Sequence, residues 1–403
     1  MMEYRCCIAG GGPAGMMLGY LLARAGVETI VLEKHADFLR DFRGDTIHPS
    51  TLELMHELGI LDELLKRPHQ EVRRLTADIG GTKIVMADFS HLPTHCRFIA
   101  LMPQWDFLDF IAEQARRYPA FHLKMQAEVT GLIEENGRAA GVQATSPNGP
   151  LEIRAGLIVG ADGRHSLVRD RSGLKADEFG APMDVLWMRM SRHPSDPESA
   201  IRFDRGKGLV MLNRGDYWQC GFLIPKGGFD EFQRKGIEEL RAGIVELAPF
   251  TRDRVSELRD WNDIKLLTVM IDRLRQWYRP GLLCIGDAAH AMSPVGGVGI
   301  NLAIQDAVAT ANILAGPLGE SKVTTDHLAK VQRRRVLPTR LTQGLQVIIQ
   351  KRLIARVLGA SGPVQPPWPL RLLSRTNLLG RLLARIVGVG FRAEHVARAP
   401  GRR

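Results

Sequence analysis

The chain has 403 residues, 45% hydrophobic and 24% charged, a length that holds two domains or one with an insertion. It contains no run of about 18 uninterrupted apolar residues, so no segment reads as a membrane span. Its net charge of +10 is local: residues 331–403 carry fifteen Lys and Arg against one acid, Glu394, whereas the rest carries 39 basic and 43 acidic side chains. With only Trp368 and Phe391 as aromatics in that tail, the pattern does not indicate a nucleic-acid surface.

The first strand is expected at residues 4–9, which leaves no room for a signal peptide. The five cysteines (Cys6, Cys7, Cys96, Cys220, Cys284) form no CxxC pair, as expected for reduced thiols in a cytoplasmic protein. The first strand ends in Gly10-x-Gly12-x-x-Gly15. A helical pattern follows (Met16, Met17, Leu18, Leu21, Leu22), then a second apolar run, Thr29-Ile30-Val31-Leu32, that closes on Glu33. Strand, glycine turn, helix, strand and acid in about 30 residues make a dinucleotide-binding βαβ unit. Gly10 allows the tight turn, Gly12 lets the backbone approach a pyrophosphate, and Gly15 lets helix and strand pack. The phosphates then lie at a helix N-terminus, where free N–H groups favour anions, and Glu33 is placed to accept from ribose hydroxyls.

A loop with Arg43 leads to a helix opened by Pro49-Ser50 and stopped by Gly59. Residues 70–97 read as strands, and Gln104 opens a helix running to Arg117. Three strand-like runs end at Leu157-Ile158-Val159 and lead into Gly160-Ala161-Asp162-Gly163-Arg164-His165-Ser166, a turn whose plainest reading is an Asp/Ser helix cap. Strands return across 183–222, two charged helices fill 229–247, and another strand lies near 266–269. Leu282-Leu283-Cys284-Ile285 then leads into Gly286-Asp287-Ala288-Ala289-His290, followed by Pro294-x-x-Gly297-x-Gly299-x-Asn301 and a helix from about Val298 to Leu314.

The three motifs in this order resemble those of the single-component FAD-dependent aromatic hydroxylases, the p-hydroxybenzoate hydroxylase-like and ubiquinone-biosynthesis-like monooxygenases, over residues 4–320. The resemblance implies an α/β (α+β overall) fold: a Rossmann-like FAD-binding domain in three pieces (1–69, 98–180, 269–330), an inserted mixed-sheet substrate domain (70–97, 181–268), and a basic helical tail (331–403). It implies non-covalent FAD held by Gly10, Gly12, Ala14, Gly15, Glu33, Lys34, Arg43, Gln104, Asp162, Gly163, Gly286, Asp287, Pro294, Gly297, Val298, Gly299 and Asn301. Asp162 and Gly163 would serve both FAD and the nicotinamide coenzyme, Asp287 the ribitol, and residues 294–301 the isoalloxazine. Many relatives have arginine where Gln104 stands. The implied chemistry is reduction of FAD by NADPH or NADH, then transfer of oxygen to an aromatic ring from a flavin C4a-hydroperoxide. Neither a nucleophile nor a metal is required, and the scattered histidines form no ligand cluster.

His48 and Pro294 are the candidates nearest the chemistry. His48 could help ionise a phenol or make a structural hydrogen bond, and His290 reads as support for the Asp287 turn. Alternation in the inserted sheet nominates Trp187, Arg189, Met211, Trp218, Cys220 and Phe222 for the face toward the flavin, with core packing as the alternative. Halogenases of this fold carry Trp-x-Trp-x-Ile-Pro, which Trp218-Gln-Cys-Gly-Phe-Leu-Ile224-Pro225 lacks. A flavin-dependent reductase and a non-catalytic flavoprotein sensor stay open. In the tail, 341–358 and 371–389 read as amphipathic basic helices. They pack on the body, meet a second subunit in a homodimer, or lie on an anionic membrane as a peripheral contact.

Overall fold

The computed structural model describes residues 2–39, 46–197, 200–365 and 378–397; Arg43 and the first half of the second tail helix lie outside them. In chain order the helices are α1 (Pro13–Arg24), α2 (Pro49–Glu57), α3 (Leu61–Leu64), α4 (Gln104–Ala115), α5 (Leu167–Ser172), α6 (Phe229–Arg234), α7 (Ile237–Leu247), α8 (Gly299–Gly319), α9 (Thr325–Ile349), α10 (Ala355–Leu358) and α11 (Leu378–Gly388).

Five parallel strands form the spine of the larger sheet, in the order Leu282–Cys284, Gly149–Gly160, Met2–Ala9, Thr29–Leu32, Phe121–Lys124. The chain leaves Met2–Ala9 toward one side and later returns on the other. The carboxyl ends of Met2–Ala9 and Gly149–Gly160 therefore flank a topological switch point, where a doubly wound sheet binds ligands. An antiparallel ribbon, Glu128–Glu135 and Arg138–Ser146, extends from Gly149–Gly160. The strands are apolar and buried toward their carboxyl ends, at residues 6–9, 29–32 and 157–160, where helices cover the sheet. Helix α1 begins with Pro13, whose fixed φ suits a first helical position, and is buried from Ala14 to Ala23. Helix α8 is long and apolar enough to cross a membrane, but most of it lies buried in the core, much of it against α1.

The second sheet has seven strands in the order Lys265–Leu267, Met183–Ser191, Tyr217–Pro225, Lys207–Asn213, Ala200–Asp204, Arg74–Ile79, Thr82–Asp88. Gln70–Val72 does not join it; it pairs with Ile99–Leu101, which also pairs with Thr46–Ile47. Period-two alternation gives the seven-stranded sheet two apolar faces. Leu186, Met188, Met190, Leu209, Met211, Trp218, Cys220, Phe222 and Ile224 pack on Leu240, Ile244 and Leu247 of α7. The opposite face carries Val210 and Leu223, which meet Val295 and Ile354, and Leu212, which meets Val387 of α11.

The described tail lies on the body. Helix α11 buries Ala384 against Ala87, Phe89 and Leu92, and Gly388 sits so close to Phe89 and Leu92 that a larger residue would press on both.

Candidate active site

The three sequence motifs converge on the carboxyl ends of the parallel strands. Ala161 N–H donates to the Ala9 carbonyl at 2.8 Å and Ile285 N–H to the Gly160 carbonyl at 2.9 Å, so the three turns run side by side. Gly10 has φ +104°, and a Cβ there would collide with the Ala161 carbonyl. A Cβ on Gly15 would strike the Gly10 carbonyl. Over Gly12, by contrast, an added Cβ meets nothing within 4 Å. That open space lies at the N-terminus of α1, which has no side-chain cap and no acid in its first turn. Its first N–H groups are therefore available to an external anion.

Glu33 is nearly buried, and its carboxylate accepts from Gly11 N–H at 2.9 Å and His35 N–H at 3.1 Å. These bonds fix it at the lip of the glycine turn, with Lys34 exposed beside it. Asp287 is half-exposed, with the Arg164 guanidinium 3.8 Å away. Gly286 has φ +58° and packs against Ala14 and Ala303, so the second acid turn is pressed directly onto α1 and α8. Helix α8 starts at Gly299 with Val298 as its N-cap residue, again with no capping side chain and no acid in the first turn. Pro294 begins the short turn before it, and Gln104 is the first residue of α4.

Asp162 accepts from the Ser166 hydroxyl and from Val168 N–H at 3.1 Å. Burial raises its pKa, against the pull of those bonds. It is the helix cap of the plainer reading, and it holds Gly163, at φ +86°, on the rim of the crevice. Asn301 turns its carboxamide inward: Oδ1 accepts from His48 N–H at 2.9 Å and from the Thr51 hydroxyl at 2.7 Å, and Nδ2 donates to the Thr46 carbonyl at 3.1 Å. The side chain is thus spent clasping the start of α2 to the start of α8, which leaves it nothing to offer a cofactor.

His48 is fully buried and its Nδ1–H donates to the Val387 carbonyl at 2.8 Å. Burial lowers its pKa to about 4, although the bond to Val387 works the other way. Burial favours the neutral ring, which joins α11 to the start of α2, and its Nε2 meets no partner among the described residues. His290 donates Nε2–H to Asp306 at 2.6 Å, and Asp306 also accepts from Gly286 N–H at 3.1 Å. The histidine therefore supports the Gly286–Asp287 turn through Asp306. Burial raises the Asp306 pKa, but His290 and Arg335 outweigh it and hold the carboxyl below its ordinary range. Arg335 reaches the same carboxylate at 2.8 Å and also Glu394 at 3.3 Å. Nothing in the sequence pattern paired residues so far apart. The only signal was Asp306, the single charge inside the otherwise apolar α8.

The inserted sheet corrects four substrate candidates. Met211, Trp218, Cys220 and Phe222 lie on the α7 side, each at most 2% exposed. Pairing explains the split: Met211 stands opposite Cys220, and Trp187 opposite Gly221, one residue out of phase. Trp187 and Arg189 share the other face with Val210, Leu212, Gln219, Gly221 and Leu223. Arg189 is exposed and stacks its guanidinium 3.8 Å from the Tyr217 ring centroid. Trp187 is half-buried, and its indole N–H meets no acceptor among the described residues.

A switch-point crevice with two uncapped helix N-termini and two acids, beside a mixed sheet, defines an FAD-dependent oxidoreductase of the aromatic-monooxygenase class. The family model described as "FAD binding domain" matches residues 3–344, and the chain belongs to that family. It is 32% identical over 382 residues to 6-methylpretetramide 4-monooxygenase of Streptomyces rimosus, covering 94% of this chain and 91% of that protein. It is 29% identical over 317 residues to dialkyldecalin synthase of Streptomyces rugosporus, covering 75% of this chain but only 63% of that protein. The crystal structure of p-nitrophenol 4-monooxygenase from Pseudomonas putida superposes with a TM-score of 0.76 at 20% identity, covering 96% and 97% of the two chains, a likeness of fold.

Proposed function

We propose that this chain hydroxylates a planar, polycyclic phenol of the aromatic polyketide type, using NADPH or NADH and O₂. The observation that carries the reading is the similarity to 6-methylpretetramide 4-monooxygenase. At 94% of this chain it extends past residue 344, beyond the family model and into the tail packed on the second sheet. The apolar face of Val210, Leu212 and Leu223, with Val295 and Val387 against it, suits a flat apolar ring system.

The residues present fit FAD. The open space at Gly12 and the free N–H groups of α1 would take the pyrophosphate, Glu33 the adenosine ribose, and Asp287 the ribitol. The α8 N-terminus would face the ring, with Gly299 open beside it and Gly297 pressed against Thr46 at a positive φ that favours glycine. When bound, FAD accepts two electrons from the nicotinamide and transfers one oxygen atom from O₂ to the substrate. The protein's share is orientation and electrostatics. The positive end of α8 favours negative charge on the neighbouring ring edge, and the buried apolar surfaces of the inserted sheet keep water away. Asp162 and Gly163 shape the rim where a nicotinamide would enter, and Gln104 would close the nucleotide side.

The similarity to dialkyldecalin synthase favours a second reading, in which the same bound FAD serves a reaction without net oxygen transfer. Oxygen and NAD(P)H consumption in the presence of 6-methylpretetramide or anhydrotetracycline separates the two. Oxygenation requires substrate-dependent uptake of both. Turnover of the phenol with neither consumed would defeat the proposal.

A further inference from the structure

Helix α9 buries Leu328, Ala329 and Val331 in its first turns, but from Arg335 onward it departs from the usual rule for amphipathic helices. Leu337, Leu341 and Ile348 are among its exposed side chains, whereas Arg335, Gln343 and Gln346, with Gln350 just beyond it, are 1–3% exposed. The buried glutamines share one purpose. Gln343 donates to the carbonyls of Asp272 at 2.7 Å and Ala291 at 3.0 Å. Gln346 donates to the carbonyls of Ser293 at 3.0 Å and Val295 at 2.9 Å, and accepts from Ser293 N–H at 3.3 Å. Gln350 donates to the Ser293 hydroxyl at 2.5 Å, and that hydroxyl accepts from Val295 N–H at 3.2 Å.

Backbone groups of residues 291–295 thus find their partners in side-chain amides rather than in a neighbouring strand. A buried backbone carbonyl must be satisfied somewhere, and here the partner is a helix. This segment connects the Gly286–Asp287 turn to the start of α8. Its other end is held by the same helix, because Arg335 bonds Asp306, which binds Gly286 N–H. From Gln350 the helix runs through a π-turn, Gln350–Ile354, whose Ile354 packs with Met183 and Leu223 of the second sheet, and then into α10. Wide turns of this kind realign the faces of a helix.

We propose that Gln343, Gln346 and Gln350 are positioning residues for the cofactor: α9 is the template that sets the height of residues 291–299, and with it the surface offered to the flavin ring. The proposal rests on the reading of that segment as the flavin loop. The ladder acts through the backbone of residues 291–295 and the Ser293 hydroxyl, so it shapes affinity and ring environment without touching FAD.

The test compares Gln346→Met, Gln350→Leu and Gln346→Glu with a control on the same helix, Gln332→Met. The control removes similar bonds from residues 275–277, which bond no backbone group of 291–295 and meet its neighbour His290 only through the Trp277 ring. Full-length apoprotein is titrated with FAD, the visible spectrum of the bound flavin is recorded, and the urea midpoint of each variant is measured. Gln346→Met should weaken FAD binding by about tenfold and alter the flavin's visible bands, with a smaller change of the same kind in Gln350→Leu. Gln332→Met should keep wild-type FAD affinity and spectrum even if its urea midpoint falls. Gln346→Glu should recover affinity as the pH is lowered and its carboxyl regains a proton to donate.

FAD affinity and spectrum unchanged within twofold in Gln346→Met and Gln350→Leu would overturn the proposal. If Gln346→Met does not fold, Gln350→Leu alone decides. Wild type that binds no FAD, or a Gly299→Val variant that binds it normally, would instead sink the loop reading beneath it.

Discussion

The two sheets present their ligand surfaces differently: the parallel sheet uses the ends of its strands, and the seven-stranded sheet uses a face. At strand ends, the backbone has to turn sharply, pack closely and leave N–H groups free, and few residues permit that. Gly10, Gly15, Gly163 and Gly286 are held to their positions by positive φ, by close approach, or by both. On a face, only parity matters. Both faces of the inserted sheet are apolar, so a shift of one residue separates a side chain packed on α7 from one beside Val295. Function at strand ends therefore leaves a sharp trace in the sequence, whereas function on a two-sided apolar sheet does not.

The largest expected effect tests the rigidity of the strand-end site. Asp306→Ala removes one of the two carboxylates that pair with buried Arg335, leaves His290 Nε2–H and the Gly286 N–H without an acceptor, and should cost about 3–5 kcal/mol of stability, read from urea unfolding. A loss below 1 kcal/mol would show that the network does not brace the turn.

The parity argument is sharpened by a pair of truncations. Met211→Ala, on the α7 side, should lose about 2–5 kcal/mol of stability while the KM for a tetracyclic phenol stays near wild type. Leu212→Ala, one residue later, should raise that KM or uncouple NAD(P)H oxidation from product formation at a much smaller cost in stability. If the two effects were exchanged, the assignment of faces would be reversed.

Glu33→Ala should weaken FAD binding by about 1–3 kcal/mol, measured by flavin fluorescence titration. An unchanged dissociation constant removes Glu33 from the site.

The seam between the regions has its own titration. His48 is neutral when folded, with its pKa lowered to about 4, whereas the unfolded chain takes up a proton near pH 6.5. Stability should therefore fall as the pH drops below about 6.5, by about 1 kcal/mol between pH 7 and 5.5. His48→Gln should lack that component. Parallel pH profiles for the two proteins would contradict the buried, neutral ring.

The fold class was legible because it rests on turn chemistry. Strand, glycine turn, helix, strand and acid leave few alternatives, and the later turns at Asp162 and Asp287 each end an apolar run. Less legible was what each acid does there. Glu33 and Asp162 look alike in sequence, yet Glu33 accepts from the glycine turn itself, whereas Asp162 accepts from Ser166 and Val168 N–H because a helix starts five residues later. Asn301 looked like a cofactor ligand, and its amide is consumed by Thr46, His48 and Thr51, some 250 residues earlier.

The tail was harder still. Hydrophobic periodicity assumes that apolar stripes face inward, and the second half of α9 buries an arginine and glutamines while Leu337, Leu341 and Ile348 face out. The described part of the basic tail packs through α11 on the strand Thr82–Asp88, the first of the three alternatives its sequence allowed.

The central claim is that this crevice and this sheet face together place one oxygen atom on a phenolic ring. Turnover of 6-methylpretetramide with NAD(P)H under ¹⁸O₂, followed by mass spectrometry, tests it most directly. The account predicts a product heavier by one ¹⁸O atom, formed only with FAD and reductant present. A product that forms from the phenol without label would contradict it.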